Sequence, residues 1–380
     1  MKNDHMLVKP AILFISNLNE NSEILNSVIK ENFQVYFHKF KSSEPEDFLE
    51  YLHETFTENA PLAAIYAGFT AFGPIGGLTK DMIEHAYFPR HSLQCITLCS
   101  RGVDFVDIKA LSAHGIKLLN YEDDMSNIGS AQGIIKPALA GNDVADCVLW
   151  HVIEGFRKFS LQQSNLRYYR TTNLARFCAN GRSPEAVESV FGHELRTCLA
   201  KSPRGQKVLI LGLGAIGKKI AYKLQHGLGM EVHYAKRNSD IDAPWSFHAL
   251  DGSLLPKLSQ FSTIVVALPG TPETKHLIDR QFLTFCSDEL ILVNVGRGTI
   301  LEQTAINDAV RENKLRHLGM DVYYSEPYVD EYLLDCVSNV SSTPHVGSGT
   351  ADVFNQSCDF ALNNIIEVVL KGKSGHSLVV

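Results

Sequence analysis

The 380-residue chain has no C-x-x-C pair and no His/Cys cluster at zinc spacing, although it carries eight cysteines and 15 histidines. The cysteines, at positions 95, 99, 147, 178, 198, 286, 336 and 358, are scattered, and Cys147, Cys178 and Cys286 sit among apolar neighbours. This argues against a disulfide framework and a zinc site, and reads as reduced thiols in a cytosolic protein with no metal. Positive charge is not in excess either. A net charge of -7 speaks against a nucleic-acid surface but leaves room for a local cationic pocket. The N-terminal MKNDHMLVKPAILFISN holds only a strand's length of apolar residues, too short for a signal peptide or a membrane span. The C-terminal HSLVV does not match the peroxisomal S-K-L address. A cytoplasmic location without membrane or nucleic-acid partners is the expectation.

What is present is ordinary globular composition, 45% hydrophobic and 20% charged, in a chain long enough for two domains. From Pro10 to Tyr121, short apolar runs at 11–16, 35–40, 63–68, 94–100 and 116–121 alternate with helix-like stretches at 21–32, 43–56 and 103–115. Such alternation predicts a parallel sheet covered on both faces. Ser43 and Glu46 suggest a capping box at the head of the second helix. This half has no glycine fingerprint. Residues 121–142, rich in Gly, Ser, Asn and Asp, read as a long loop. A helix over 142–164 follows, capped by Asn142 or Asp143, with Val144, Cys147, Val148, His151 and Val152 on one face. Residues 165–204 look irregular and polar, a surface excursion suited to an oligomer contact. Alternation then resumes, with strands expected at 230–236, 262–270, 290–296, 317–323 and 339–345. The amphipathic stretch 350–373 is expected to return to the first domain.

The second half opens on KVLILGLGAIG, 207–217, followed by a helical pattern. A buried strand, then Gly212, Gly214 and Gly217 at G-x-G-x-x-G spacing, then a helix, form a socket for a pyrophosphate. Gly212 suits the tight turn, Gly214 the close approach of a phosphate, and Gly217 the packing of helix on strand. The helix N-terminus offers N–H groups and a positive dipole end to the anion. An acidic residue usually stands about 20 residues on, against the ribose hydroxyls. Here the run is Lys236-Arg237-Asn238-Ser239. Two cations and no carboxylate suit a 2′-phosphate, hence NADP(H) preferred with NAD(H) possible.

Ligands of open parallel sheets bind beyond the carboxyl ends of the strands. After LILVNV comes Gly296-Arg297-Gly298, read as a carboxylate clamp in a loop whose glycines admit a ligand. Beyond HLGMDV stand Asp321 and Glu326, and beyond NVSST stands His345. An Arg, a Glu and a His at three neighbouring strand ends supply an anion clamp, a tuning residue and a proton donor.

The segments CSRGVDFVDI (99–108), NDVADCVLWHVIEGFRKF (142–159), GLGAIGK (212–218), VALPGTPETKHLID (266–279), LILVNVGRGTIL (290–301), GMDVYYSEP (319–327) and TPHVGSGT (343–350) together resemble the D-isomer-specific 2-hydroxyacid dehydrogenases, and within them the fungal glyoxylate/hydroxypyruvate reductase-like members. The resemblance runs from about Ile12 to Leu370. It implies an α/β protein of two flavodoxin/Rossmann-like domains with parallel sheets, the second a dinucleotide-binding Rossmann domain. Residues 1–142, completed by 346–380, would be the substrate domain and 143–345 the NAD(P)-binding domain of a homodimer. It implies reduction of a small 2-keto acid, glyoxylate or hydroxypyruvate, to the D-2-hydroxy acid, with Arg297, Glu326 and His345 catalytic.

The same resemblance implies that Gly212, Gly214, Ala215, Ile216, Gly217, Lys236, Arg237, Asn238, Leu268, Pro269, Thr274, Val295, Asp321 and Gly347 line the cofactor. Asp321 would accept a hydrogen bond from the nicotinamide carboxamide, and Pro269 and Thr274 would lie on the adenosine side. Ser100, Arg101 and Gly102, with Arg297, would hold the substrate. Three departures stand out: Lys236 in place of the usual Asp, Arg101 where a small residue is common, and a long 121–142 loop. Arg101 thereby offers the substrate a second cation. A dinucleotide-sensing, corepressor-like binding protein of the same fold is the alternative.

Overall fold

The computed structural model describes residues 9–57, 60–122, 139–183, 189–196 and 198–380. These form two compact units, one of the described residues up to 122 with Thr350–Val380, the other of those from 139 to Gly349. Both are parallel-sheet α/β structures.

The first unit contains β1 (Ala11–Ile15), β2 (Gln34–His38), β3 (Leu62–Ala67), β4 (Cys95–Leu98) and β5 (Lys117–Leu119). They lie parallel in the order β2-β1-β3-β4-β5. Strands β1 and β3 are buried along their whole length, because both faces of the sheet are covered; this is why they read as continuous apolar runs without alternation. One face packs on Phe48, Leu49 and Leu52 of the helix Pro45–Thr55. The other packs Ile12, Phe14 and Ala64 against Cys358, Ala361, Leu362 and Ile365 of the helix Ala351–Ile365. Fully burying each such large side chain contributes about 1.5–3 kcal/mol. The capping box expected at Ser43 and Glu46 does not form. Pro45 is the first helical residue and Glu44 the cap, without a side-chain cap bond. The fixed φ of proline sets the start of this helix, and Ser42 accepts the Glu44 amide at 3.2 Å.

The second unit contains β6 (Lys207–Leu211), β7 (Glu231–Lys236), β8 (Ser246–Ala249), β9 (Thr263–Val266), β10 (Ile291–Asn294), β11 (His317–Met320) and β12 (Val340–Ser342). The parallel order is β8-β7-β6-β9-β10-β11-β12. The chain starts in the middle with β6, runs outward to β8, then reverses through β9 to β12. The switch point therefore lies between β6 and β9. Strand β8 was not expected: SFHA has no apolar run and lies half-exposed at the sheet edge.

The helix Leu139–Arg157 packs on this sheet. It starts before the expected caps at Asn142 and Asp143. It stops at Lys158, whose φ of 50° breaks the helical path before Phe159–Tyr169 continues. Two glycines let it lie close. A Cβ at Gly155 would stand 2.7 Å from Ile291, and one at Gly319 would stand 2.7 Å from the Cβ of His151. Of the loop read at 121–142, residues 123–138 fall outside the described residues. The excursion read as irregular over 165–204 is partly helical. Phe159–Tyr169 ends at Arg170 with φ 56°, and Thr172–Cys178 follows, with the Thr171 hydroxyl capping the Leu174 amide at 3.1 Å. Among the described residues no helix is long and apolar enough to cross a membrane.

Candidate active site

Every predicted site residue of the second unit lies at or beyond the carboxyl end of one of its strands. After β6, Gly212 turns with φ 96°, which a side chain disfavours. A Cβ there would also meet the Ala267 carbonyl oxygen at 2.7 Å. Gly214 caps the 14-residue helix Ala215–Leu228, and a Cβ on it would meet nothing within 4 Å. Gly217 is the opposite case, since a Cβ would overlap the carbonyl oxygen of Gly212. Gly212 and Gly217 thus shape the turn, and Gly214 leaves its surface open. The first amides of the helix, those of Ala215, Ile216 and Gly217, have no intrahelical acceptor and stand at the positive end of the helix dipole, which favours an anion. The socket fits a pyrophosphate.

At the other end of the edge, Arg297 follows β10, Glu326 follows β11 and His345 follows β12. His345 Nδ1 lies 2.8 Å from Glu326 Oε2. Glu326 accepts the Tyr323 amide at 2.9 Å through its other oxygen. Nε2 is the ring nitrogen of His345 that does not meet Glu326. His345 is held with φ 54°, a left-handed conformation that histidine enters more readily than most residues. The hydrogen bond that His345 donates to Glu326 raises the His345 pKa above its ordinary 6.5 against the opposing effect of burial; the Glu326 and Asp321 charges add to the rise and Arg297 lowers it. Burial pushes the Glu326 carboxyl up, but the bonds from His345 and the Tyr323 amide, with the His345 and Arg297 charges, hold it below its ordinary 4.5. The two shifts agree: the ion pair is the favoured state.

A Cβ at Gly296 would stand 2.5 Å from the Leu268 carbonyl oxygen, and one at Gly298 would overlap the Tyr323 carbonyl. The glycines let the Arg297 loop pack between the loops after β9 and β11. Arg297 is half-buried and its Nη1 donates to the Gly296 carbonyl at 2.8 Å.

Three residues that pattern did not single out hold these loops. Buried Asn294 donates from Nδ2 to the Arg297 carbonyl at 2.9 Å and accepts the Gly296 amide at 3.1 Å. Tyr323 donates its hydroxyl to the Thr343 carbonyl at 2.8 Å. Thr343 donates its own hydroxyl to Asp321 at 2.7 Å. A polar Asn closing an apolar strand was the one signal legible beforehand.

Asp321, 3% exposed, accepts the Val346 and Gly347 amides at 2.9 Å each as well as Thr343. Its carboxylate ties down the His345 loop, a structural duty beside the predicted contact with the carboxamide. Gly347 needs to be glycine, as a Cβ would stand 2.8 Å from Asp321 Oδ2. Leu268 and Val295 line the edge between β9 and β10, half-buried and buried respectively, and Pro269 is exposed. The Thr274 hydroxyl is engaged within its own turn, donating to the Pro269 carbonyl at 2.7 Å and accepting the Thr271 amide at 2.8 Å. At the end of β7, Lys236 is half-buried and Arg237 and Asn238 are exposed. Carboxylates do stand nearby: Glu273 is 4.0 Å from Arg237, and Asp240 pairs with Lys218 at 2.9 Å.

In the first unit, Ser100, Arg101 and Gly102 form the loop after β4. The Ser100 hydroxyl donates to the Gly102 carbonyl at 3.1 Å. Arg101 is paired with Glu122 at 2.7 Å, so the second cation expected there is already partly neutralised.

The chain matches the family model described as D-isomer specific 2-hydroxyacid dehydrogenase, NAD binding domain, over residues 174–347, and that described as the catalytic domain over residues 12–131. A Saccharomyces cerevisiae protein provisionally named a 2-hydroxyacid dehydrogenase is 50% identical over 95% of this chain and 94% of its own length. Glyoxylate/hydroxypyruvate reductase B of Pectobacterium carotovorum is 29% identical, over 78% of this chain and 82% of its own. Among solved structures, holo D-mandelate dehydrogenase of Rhodotorula graminis superposes with a TM-score of 0.79 at 23% identity, over 98% of this chain and 97% of that one. The last is a likeness of fold.

Proposed function

On the premise that the chain belongs to the D-isomer specific 2-hydroxyacid dehydrogenase family, and is an oxidoreductase with an NAD-binding domain, we propose that it reduces glyoxylate or hydroxypyruvate to the D-2-hydroxy acid with NADPH as the preferred donor. The observation that carries this reading is the His345–Glu326 pair at 2.8 Å, beside Arg297 on the sheet edge that also bears the open glycine turn. A dinucleotide held at the glycine turn would supply the hydride. Arg297 clamps the substrate carboxylate and polarises the keto oxygen. As the carbonyl carbon gains the hydride and the C=O π bond opens, His345 Nε2 gives its proton to the oxygen and is left as neutral imidazole. Glu326 holds Nδ1 and stabilises the charged form beforehand. Gly212, Gly214 and the amides of Ala215, Ile216 and Gly217 cradle the pyrophosphate, and Lys236 and Arg237 attract a 2′-phosphate.

The name of the Pectobacterium relative favours the two small keto acids over bulkier ones. The reading includes a homodimeric, cytoplasmic enzyme, with the first unit contributing the substrate domain; sedimentation of the purified chain checks the dimer. The deciding experiment is a turnover assay with glyoxylate and hydroxypyruvate under NADPH and NADH. Oxidation of NADPH with at least one keto acid is expected. Absence of turnover with all four combinations overturns the proposal.

A further inference from the structure

Behind the His345 loop, a buried polar chain crosses the second unit from the helix Leu139–Arg157 to the sheet. Lys158, 2% exposed, places Nζ 2.8 Å from His317 Nδ1 and 3.2 Å from the Arg316 carbonyl. His317 Nε2 lies 2.8 Å from the Ser341 hydroxyl. That hydroxyl lies 2.6 Å from His151 Nδ1, and His151 Nε2 lies 3.3 Å from the Thr343 hydroxyl. Thr343 donates to Asp321, which holds the amides of Val346 and Gly347 on either side of the turn after His345.

The direction of every proton follows from the ends. An ammonium only donates, so His317 accepts at Nδ1 and carries its proton on Nε2. Ser341 then accepts from His317 and donates to His151 Nδ1. His151 carries its proton on Nε2 and donates to Thr343, which donates to the carboxylate. All donors point from the cation Lys158 to the anion Asp321, and the bonds polarise one another in one sense. Burial lowers the His151 pKa to about 4. It also lowers that of His317, with the Lys158, His151 and Arg316 charges adding. Both rings are thus neutral, as this order requires. Lys158 itself is lowered to about 8 by burial, with Cys198 and Glu154 raising it and Arg316 lowering it.

We propose that His151 is a positioning residue of the active site: it joins Lys158, His317 and Ser341 to Thr343 and Asp321, and so holds the loop that presents His345 to Glu326. The proposal rests on the role given to His345 above. His151 stands on the face of its helix read from sequence as apolar, and Gly319 leaves it the room to reach Ser341 and Thr343. Leucine would fill that space and deprive the buried Ser341 hydroxyl and the half-buried Thr343 hydroxyl of their bonds to His151. Glutamine can both accept and donate there.

The test combines turnover with NMR titration of the histidines in the full chain, for wild type, His151→Leu, His151→Gln and Ser341→Ala. The groups facing His345 are Glu326, Asp321 and Arg297, and a loosened loop draws it away from Glu326. In His151→Leu the His345 pKa should fall by roughly one unit, the size of a contact charge partner. The kcat should drop ~10- to 100-fold, as for misplacement by about 1 Å, with KM for the keto acid little changed. His151→Gln should restore both. Ser341→Ala, which removes one oxygen, carries the same readouts should His151→Leu not fold. A folded His151→Leu, or Ser341→Ala, with wild-type titration and kcat overturns the proposal. So does failure of His151→Gln to restore what His151→Leu loses, because packing alone would then explain the loss. Should wild type turn over neither keto acid, the activity reading fails, and the titration still decides the positioning role.

Discussion

The two parallel sheets differ most where each first strand ends. After β1 in the first unit, Ser16 takes the left-handed turn with φ 67°, and its hydroxyl donates to the Phe69 carbonyl at 2.7 Å. Gly68 closes against the carbonyl of Asn17, which a Cβ there would overlap. After β6 in the second unit the turn residue is Gly212, and Gly214 leaves open space. Both sheets have a switch point beside the first strand. Both close on backbone, Gly68 against Asn17 and Gly212 against Ala267, but the first is also stitched by the Ser16 hydroxyl, whereas the second leaves open space at Gly214, at the head of a 14-residue helix. The same architecture thus differs at the two turns in what lies beside the first strand: a side-chain bond at Ser16, open space at Gly214.

Four sets of variants separate the two turns and the chemistry beyond them. The largest effect is expected at the chemistry. His345→Ala should lower keto-acid reduction by roughly 10² to 10⁴, the worth of a general acid, while dinucleotide binding stays nearly intact by fluorescence titration. Retained turnover would remove His345 from its role. The pH dependence has a fixed sign. The His345 pKa is raised above 6.5, so reduction is full below that pH and fades as pH rises through the raised value. The Glu326 pKa is lowered below 4.5, so the pair's contribution to stability is present above 4.5 and lost as pH falls through the lowered value. His345 loses its share only on the alkaline side. The pair is intact between these limits, and a flat rate profile above pH 6.5 would contradict its part in the reaction.

Next is Gly217→Val. Overpacking of this kind costs about 1–3 kcal/mol, occasionally more, and should lower thermal stability and weaken the dinucleotide together; an unchanged melting temperature would mean the helix can move off the turn. Third, Lys236→Asp with Arg237→Leu should shift the NADPH/NADH preference by about tenfold or more, since a charge-assisted hydrogen bond is worth about 1.5–3 kcal/mol. The neighbouring Glu273 makes this a real question, and an unaltered ratio would show the basic pair to be a bystander. The smallest effect is expected from Ser16→Ala, which removes one hydrogen bond worth about 0.5–1.5 kcal/mol and should leave dinucleotide affinity unchanged. A loss matching that of Gly217→Val would erase the distinction between the two turns.

Strands buried on both faces were legible because their apolar runs are uninterrupted, as in β1, β3, β6 and β10. Strand β8 was not, since SFHA lies half-exposed at an edge and needs no apolar run. The helix expected over 142–164 is broken at Lys158, and helix continues past 164 and again at Thr172–Cys178, where no pattern marks it: polar residues dominate the composition and the breaks are left-handed residues, Lys158 and Arg170, rather than Gly or Pro. The site was legible as residue types after strand ends. What Gly296 and Gly298 pack against was not, because the backbones of Leu268 and Tyr323 are distant in sequence.

By itself the sequence determined the glycine turn, the alternation of strand and helix, and the presence of Arg297, Glu326 and His345 beyond successive strands. These are local facts, set by backbone freedom at glycine and by hydrophobic period. Only the tertiary structure decided that Glu326 meets His345 at Nδ1, that Asp321 is occupied with the loop behind it, and that a histidine on an apolar helix face links a buried lysine to that carboxylate. Those pairings depend on which strands lie side by side and how closely a helix can approach them. Packing settles both, and it joins residues that no spacing along the chain relates.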